Sequence, residues 1–86
     1  MTETLFEFPC QFPIKVMGRD TPEFRPDVLA IITQHAGEIP EDDVRTQPSS
    51  KGSFVSLTVT ITAESRQQLD DVYLALQADE HVMMLF

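Results

Sequence analysis

The sequence predicts a small α+β fold, with one four-stranded antiparallel sheet and two helices on one face. Two segments, Gln11–Met17 and Ser53–Thr62, alternate apolar and polar residues, which is typical of half-buried strands. Two others, around residues 24–35 and 64–78, place apolar residues on one face of a helix. With two shorter strands the order is β-α-β-β-α-β, that of the ferredoxin-like sandwich.

The start of the first helix is the least regular part of this pattern. We interpret Gly18–Glu23 as a turn, with Asp20 or Thr21 as the capping residue. Pro26 then restricts the helix, because proline is accommodated in the first turn and not in the interior. The regular helix should therefore begin no earlier than about Thr21 to Phe24, unless its first turn is loose, and the sequence leaves open whether Pro26 shortens it.

The second half of the chain predicts a hairpin, a helix and a final strand. Val44–Gln47 forms a short strand, Pro48–Gly52 a turn and Ser53–Thr62 a long strand. The second helix occupies about Glu64–Ala78, and Val82–Phe86 forms the last strand. The long strand should turn four residues toward the core: Val55, Leu57, Val59 and Ile61.

The chain of 86 residues leaves room for one domain, which we place at residues 11–86. Residues 1–10 form an N-terminal arm, which either lays its Phe6 and Phe8 rings on the domain or stays frayed. The hydrophobic fraction of 42% is too high for a disordered chain. The formal net charge of −8 argues against nucleic acid phosphates and anionic membranes as partners.

Cysteine usage and the N-terminus indicate the compartment. Cys10 is the only cysteine, so no internal disulfide can form. The sequence has no basic N-terminal segment and no apolar run approaching the ~20 residues that span a bilayer. We therefore expect a soluble, cytoplasmic protein.

No group of residues predicts catalysis, a cofactor or a metal site. Cys10 lacks the signature of an activated thiol, and neither His35 nor His81 stands at metal-ligand spacing with it. The acidic runs Glu41–Asp43 and Asp70–Asp71 are typical of solvated surfaces. The sequence consequently predicts that the protein is not an enzyme.

Two short segments are candidate binding sites. In the turn, successive small residues and a lysine can bind an anion or a partner through backbone N–H groups and the ammonium; they are Ser49, Ser50, Lys51 and Gly52. The same residues also suit a plain hairpin turn. Gly18 admits close approach of a ligand, or supplies a turn with positive φ.

The open side of the predicted sheet offers a different kind of site. Lys15, Arg45, Phe54, Ser56 and Thr58 would lie there, a mixed polar surface suited to a reversible protein interface. RNA-recognition domains share this topology but need several aromatic residues and a basic surface. The third strand supplies only Phe54, so RNA binding is not expected.

Several short motifs together resemble the YbeD-like family of small bacterial proteins of unknown function. These residues are Phe6-x-Phe8-Pro9, Lys15-Val16-Met17-Gly18, Pro22-Glu23, His35-Ala36 and Pro48-Ser49-Ser50-Lys51-Gly52. The resemblance covers nearly the whole chain, and the Pro-Ser-Ser-Lys-Gly turn is its most specific element. Pro26 departs from the uninterrupted first helix that is usual in relatives.

The resemblance implies a fold close to the ACT domain, a small-molecule regulatory module of metabolic enzymes. Such domains bind amino acids where the first strand meets the first helix, often across a homodimer interface. On this chain Met17, Gly18, Arg19 and Asp20 would border that site. Related genes lie near genes for lipoate attachment, which implies a metabolic context. We therefore expect a regulatory domain that binds an amino-acid-like effector or a metabolic enzyme in trans, with a ligand-free interaction module as the alternative.

Overall fold

The segments with an alternating apolar pattern form strands, and those with a helical pattern form helices, in the order that the sequence predicts. A computed structural model describes residues 7–49 and 52–86. In chain order the elements are β1 (Cys10–Arg19), α1 (Phe24–Ala36), β2 (Val44–Pro48), β3 (Phe54–Ala63), α2 (Arg66–Gln77) and β4 (Val82–Leu85). The strands form one antiparallel sheet in the order β2-β3-β1-β4. The ferredoxin-like α+β fold is thus confirmed.

The core lies between one face of the sheet and both helices. All four inward residues predicted for β3 are buried, and Ile14 and Val16 join them from β1. The helices contribute their apolar stripes: Phe24, Val28 and Ile32 from α1, with Leu69, Val72 and Leu76 from α2. Phe8 packs against this core, as predicted for the arm, whereas Phe6 lies outside the described residues. Because both helices cover the same face, the other face of the sheet stays open.

Strand β1 is longer than predicted. It pairs with β3 from Cys10 opposite Ala63 to Arg19 opposite Phe54, so Gly18 and Arg19 lie in the strand and not in a turn. Gly18 does not have a positive φ, and the prediction that it supplies such a turn is wrong. The pairing of β1 with β3 thus continues two residues beyond Met17, where the sequence predicted that the strand would end.

Helix α1 begins at Phe24, within the range that Pro26 requires. Its N-cap residue is Glu23, which makes no capping hydrogen bond through its side chain. The prediction that Asp20 or Thr21 caps this helix is therefore wrong. Pro26 occupies the third helical position, where a backbone N–H has no partner within the helix and its loss costs little.

The remaining boundaries differ by a few residues. The acidic run after α1, which the sequence predicts to be solvated, forms a 3₁₀ turn at Glu41–Asp43. Helix α2 begins after Ser65, whose side chain accepts a hydrogen bond from the Gln68 N–H. Strand β3 extends to Ala63, one residue further than predicted. Within the described residues, neither helix has the length and apolar character needed to cross a bilayer.

Candidate functional site

Gly18 allows two separate segments of the chain to meet at one end of the sheet. An ideal Cβ on Gly18 would stand 2.7 Å from Phe24 Cδ1 and still closer to Phe24 Cε1 and to the carbonyl oxygen of His81. The space that a side chain would take is therefore filled by the first residue of α1 and by the turn before β4. The close approach predicted for this glycine is made by the protein's own atoms.

Three titratable side chains converge beside this contact. Asp27 lies in the first turn of α1, while Asp79 and His81 lie in the connection from α2 to β4. His81 Nδ1 is 3.1 Å from Asp27 Oδ2 and 3.4 Å from Asp79 Oδ1. The backbone N–H of His81 also donates to Asp79 Oδ1 at 2.8 Å. We call these residues the Asp27–Asp79–His81 cluster.

The cluster changes the proton affinity of all three groups. Hydrogen bonds with Asp79 and with His81 lower the pKa of Asp27 below its ordinary value. Burial raises the pKa of Asp79, and the neighbouring Asp27 carboxyl raises it further. The hydrogen bond to Asp27 raises the pKa of His81. The protonated, positively charged form of the imidazole is therefore favoured beside the Asp27 carboxylate.

The charges of the chain are divided between the sheet and the rest of the molecule. The four strands contain Lys15, Arg19 and Arg45 and no aspartate or glutamate, although the whole chain has 14 acidic residues. These three side chains alternate with core residues such as Ile14 and Val16, so they lie on the open sheet face. A strongly acidic protein thus has a locally basic face.

Aromatic rings lie beside two of these cations. Lys15 Nζ is 5.4 Å from the centroid of the Phe86 ring, and Arg19 Cζ is 5.9 Å from that of Phe54. Both distances are within the range of cation–π attraction. Phe86 remains 57% exposed, so its ring is available to another molecule. We call Lys15, Arg19, Arg45, Phe54 and Phe86 the basic patch.

A shallow depression of about 230 Å³ adjoins the basic patch. Its walls come from β1, β3 and the end of β2; they include Lys15, Met17, Gln47, Phe54 and Ser56. Register explains the arrangement, because Met17 and Gln47 flank Ser56 on neighbouring strands. The depression thus combines an ammonium group, a thioether and an aromatic ring with polar groups.

The family resemblance proposed four residues that would border a ligand site. Three of them lie on the two faces of β1, and Asp20 directly follows that strand. Met17 and Arg19 point to the open sheet face, whereas Gly18 packs toward Phe24. The Asp20 N–H donates to the Ser53 carbonyl at 3.1 Å, which ties the end of β1 to the start of β3. Met17 alone of the four also lines the depression.

The second predicted site, in the β2–β3 hairpin, is described only in part. Ser50 and Lys51 lie outside the described residues. Ser49 closes the hairpin: its N–H donates to the Phe54 carbonyl at 2.8 Å, and its hydroxyl accepts from the Phe54 N–H at 3.3 Å. Gly52 has a φ of 74°, which a residue without a side chain adopts readily. Ser49 and Gly52 thus have clear roles in the turn.

Sequence reasoning identified the open face but missed the Asp27–Asp79–His81 cluster. Strand alternation was enough to place Lys15, Arg45 and Phe54 on one surface. The cluster joins residues that are 52 and 54 positions apart along the chain, so no local spacing reveals it. The available signal was Gly18, whose missing side chain lets the two segments approach.

The comparisons with known proteins agree on one family. A model of the family described as "Protein of unknown function (DUF493)" matches residues 3–86. A "UPF0250 protein" of Paraburkholderia phytofirmans is 50% identical over 76 residues, covering 88% of this chain and 85% of that protein. One from Chromobacterium violaceum is 47% identical over 83 residues, covering 96% and 93%, and one from Neisseria gonorrhoeae is 43% identical over 82 residues, covering 95% and 90%. The resemblance to the YbeD-like proteins is thereby confirmed, and the chain belongs to this family of bacterial proteins of unknown function.

Proposed function

We propose that the protein is a non-enzymatic regulatory domain that binds an acidic segment of a metabolic enzyme through its open sheet face. The observation that carries this proposal is the separation of charge. The strands present Lys15, Arg19 and Arg45 without a single acidic residue, in a chain of net charge −8. Complementary charge favours encounter with a partner whose contacting segment is negative.

The aromatic rings beside the cations indicate which side chains the partner's acidic segment should carry. Phe54 and Phe86 give the basic patch an apolar component, and Met84 on the same face is 52% exposed. A matching segment therefore carries carboxylates next to an apolar or aromatic side chain. The depression is shallow and is lined by polar and apolar groups in similar measure, so we expect a reversible contact of modest area.

An amino-acid-like effector is the second candidate, favoured by Lys15 at the edge of the depression. The depression, with a volume of about 230 Å³, admits a small molecule, and the Lys15 ammonium group can pair with a carboxylate of that molecule. The depression is open to solvent, which does not favour catalysis, because chemistry on a substrate benefits from exclusion of water. A non-enzymatic role is therefore proposed for either occupant.

The test compares two charge reversals of equal size. Lys15→Glu changes the basic patch, while Arg66→Glu makes the same change at an exposed position in the first turn of α2. Wild-type chain and both variants are used to capture proteins from the native host, and captured proteins are identified by mass spectrometry. We expect a metabolic enzyme to be retained by wild type and Arg66→Glu and lost with Lys15→Glu. Peptides covering its acidic segments should then shift the NMR signals of Met17, Phe54 and Ser56.

Other outcomes separate the alternatives. Shifts at Met17 to Asp20 caused by free amino acids or lipoate-related compounds, with no protein retained, would replace the partner with a small effector. Retention that disappears after ribonuclease treatment would overturn the proposal in favour of RNA. Light scattering that shows a dimer broken by Lys15→Glu would make a second copy of the chain the occupant. If Lys15→Glu and wild type retain the captured protein equally, the basic patch is not its binding surface.

A further inference from the structure

The Asp27–Asp79–His81 cluster lies apart from the proposed binding face. Asp27 belongs to α1, which covers the opposite side of the sheet from the basic patch. The cluster joins three donors of two chemical kinds, one imidazole nitrogen and two carboxylate oxygens. Such a mixed nitrogen and oxygen set suits Zn²⁺ and related first-row ions, whereas Mg²⁺ and Ca²⁺ prefer oxygen ligands alone.

The distances between the donors fit one small ion. Zinc bonds to nitrogen and oxygen are about 2.0–2.2 Å long, so the ligand atoms of a tetrahedral site lie about 3.3–3.6 Å apart. His81 Nδ1 is 3.1 Å from Asp27 Oδ2 and 3.4 Å from Asp79 Oδ1, and all three donor atoms lie within 4.8 Å of one another. The two distances from His81 Nδ1 are thus close to those between corners of a tetrahedral site.

The surrounding structure holds the donors in place. The His81 N–H donates to Asp79 Oδ1 at 2.8 Å, which orients that carboxylate. The contact of Gly18 with Phe24 and with the His81 carbonyl fixes the start of α1 against the turn before β4. Supporting contacts of this kind raise the affinity of a metal site, because less order has to be imposed on binding.

Partial exposure leaves access for an ion and for water. The side chains of His81 and Asp27 are 37% and 33% exposed, and that of Asp79 is 17% exposed. Three protein ligands leave at least one coordination position for water or for an outside group. We propose that Asp27, Asp79 and His81 form a binding site for a divalent cation of the Zn²⁺ class. This inference does not depend on the proposed function of the basic patch.

The experiment uses the full chain without an affinity tag, cleared of metal by a chelator. Zn²⁺ is titrated calorimetrically, and Co²⁺ is added as a spectroscopic probe whose visible absorption reports tetrahedral coordination. NMR spectra recorded with Zn²⁺ should shift the signals of Asp27, Asp79 and His81 first. Asp27→Asn and His81→Gln should each weaken Zn²⁺ binding at least about tenfold, since loss of even a residue that supports a ligand has effects of that size.

Two controls carry the same substitutions elsewhere. His35→Gln removes the other histidine, and Asp42→Asn removes one carboxylate from the acidic 3₁₀ turn. Both should bind Zn²⁺ as wild type does. The proposal is overturned if wild type shows no saturable binding, if the first shifts map elsewhere, for example to Cys10, or if the controls lose as much affinity as Asp27→Asn. If His81→Gln fails to fold, the Zn²⁺ affinity of Asp27→Asn and the NMR shifts of wild type on Zn²⁺ addition still test the proposal.

Discussion

Gly18 packs against the ring of Phe24, with no room between them for a methyl group. An added Cβ would stand 2.7 Å from Phe24 Cδ1 and would also meet the His81 carbonyl. Phe24 is buried in the core and cannot easily move away. Gly18→Ala should therefore lower the free energy of unfolding by about 1–3 kcal/mol, the usual cost of overpacking. Urea unfolding of the variant and of wild type measures this difference.

A smaller residue at position 24 provides the control for this prediction. Phe24→Leu is itself destabilising, but it removes ring atoms that an alanine at position 18 would meet. The cost of Gly18→Ala should consequently be smaller in the Phe24→Leu background than in wild type. If Gly18→Ala leaves stability unchanged and abolishes binding of an effector, the glycine serves the ligand site that the family resemblance implies.

Local patterns were sufficient for most of the fold, and Gly18 shows where they were not. Strict alternation predicted the buried face of β3, because side chains on a strand point to opposite sides in turn. Near Gly18 the residues suggested a turn, yet β1 continues to Arg19. Its end is decided by pairing with Phe54, 35 residues later along the chain, which local sequence does not encode.

Of the two candidate sites, one could be predicted from local sequence and the other could not. The open face follows from alternation, so Lys15 and Arg45 could be placed there before the structure was known. The Asp27–Asp79–His81 cluster depends on how α1 packs against the turn before β4. That packing is a tertiary contact between distant segments, and no spacing in the sequence reports it.

The start of α2 is held by two hydrogen bonds of Gln68, one with Ser65 and one with Glu64. Ser65 Oγ accepts from the Gln68 N–H at 3.1 Å, and Gln68 Oε1 accepts from the Glu64 N–H at 2.7 Å. This arrangement is close to a capping box. Ser65→Ala should lower the free energy of unfolding by about 0.5–2 kcal/mol, as for other helix caps. Ser65→Asp retains an acceptor for the Gln68 N–H, and it should restore most of that loss in the same unfolding measurement.

Gln68 also connects the two helices. Its Nε2 donates to the His35 carbonyl at 2.9 Å, near the end of α1. Gln68→Glu keeps the acceptor for Glu64 and loses this donor. Hydrogen exchange of the last turn of α1 should therefore speed up in Gln68→Glu, whereas Ser65→Ala should mainly affect the first turn of α2. Equal effects of both variants on the two helices would show that the bond to His35 adds no local stability.

The ion pair between Arg25 and Glu41 should contribute little. Arg25 Nη2 is 2.6 Å from Glu41 Oε2, but the Glu41 side chain is 86% exposed. Exposed pairs are worth about 0.2–1 kcal/mol and are screened by salt. Glu41→Gln should cost no more than that at low salt and nothing measurable at high salt. Asp42→Asn, in the same 3₁₀ turn, is the matched control for the change in net charge. A larger, salt-independent loss would contradict this estimate.

The partly buried phenol of Tyr73 should titrate differently in the folded and unfolded chains. Its hydroxyl donates to the Phe86 carbonyl at 3.2 Å, and burial raises its pKa above the ordinary tyrosine value. The folded chain therefore keeps this proton to higher pH than the unfolded chain does. The resulting contribution to stability is complete below the unfolded pKa, about 10, and is lost as pH rises through the folded pKa.

Because Tyr73 is the only tyrosine and the chain has no tryptophan, phenolate absorbance follows this one group. The apparent pKa should be higher in the folded chain than in concentrated urea. Alkaline stability should fall less steeply in Tyr73→Phe, which separates this proton from the lysines that titrate in the same range. Equal apparent pKa values in the folded and unfolded chains would mean that the phenol is as well solvated in the folded chain as in the unfolded one.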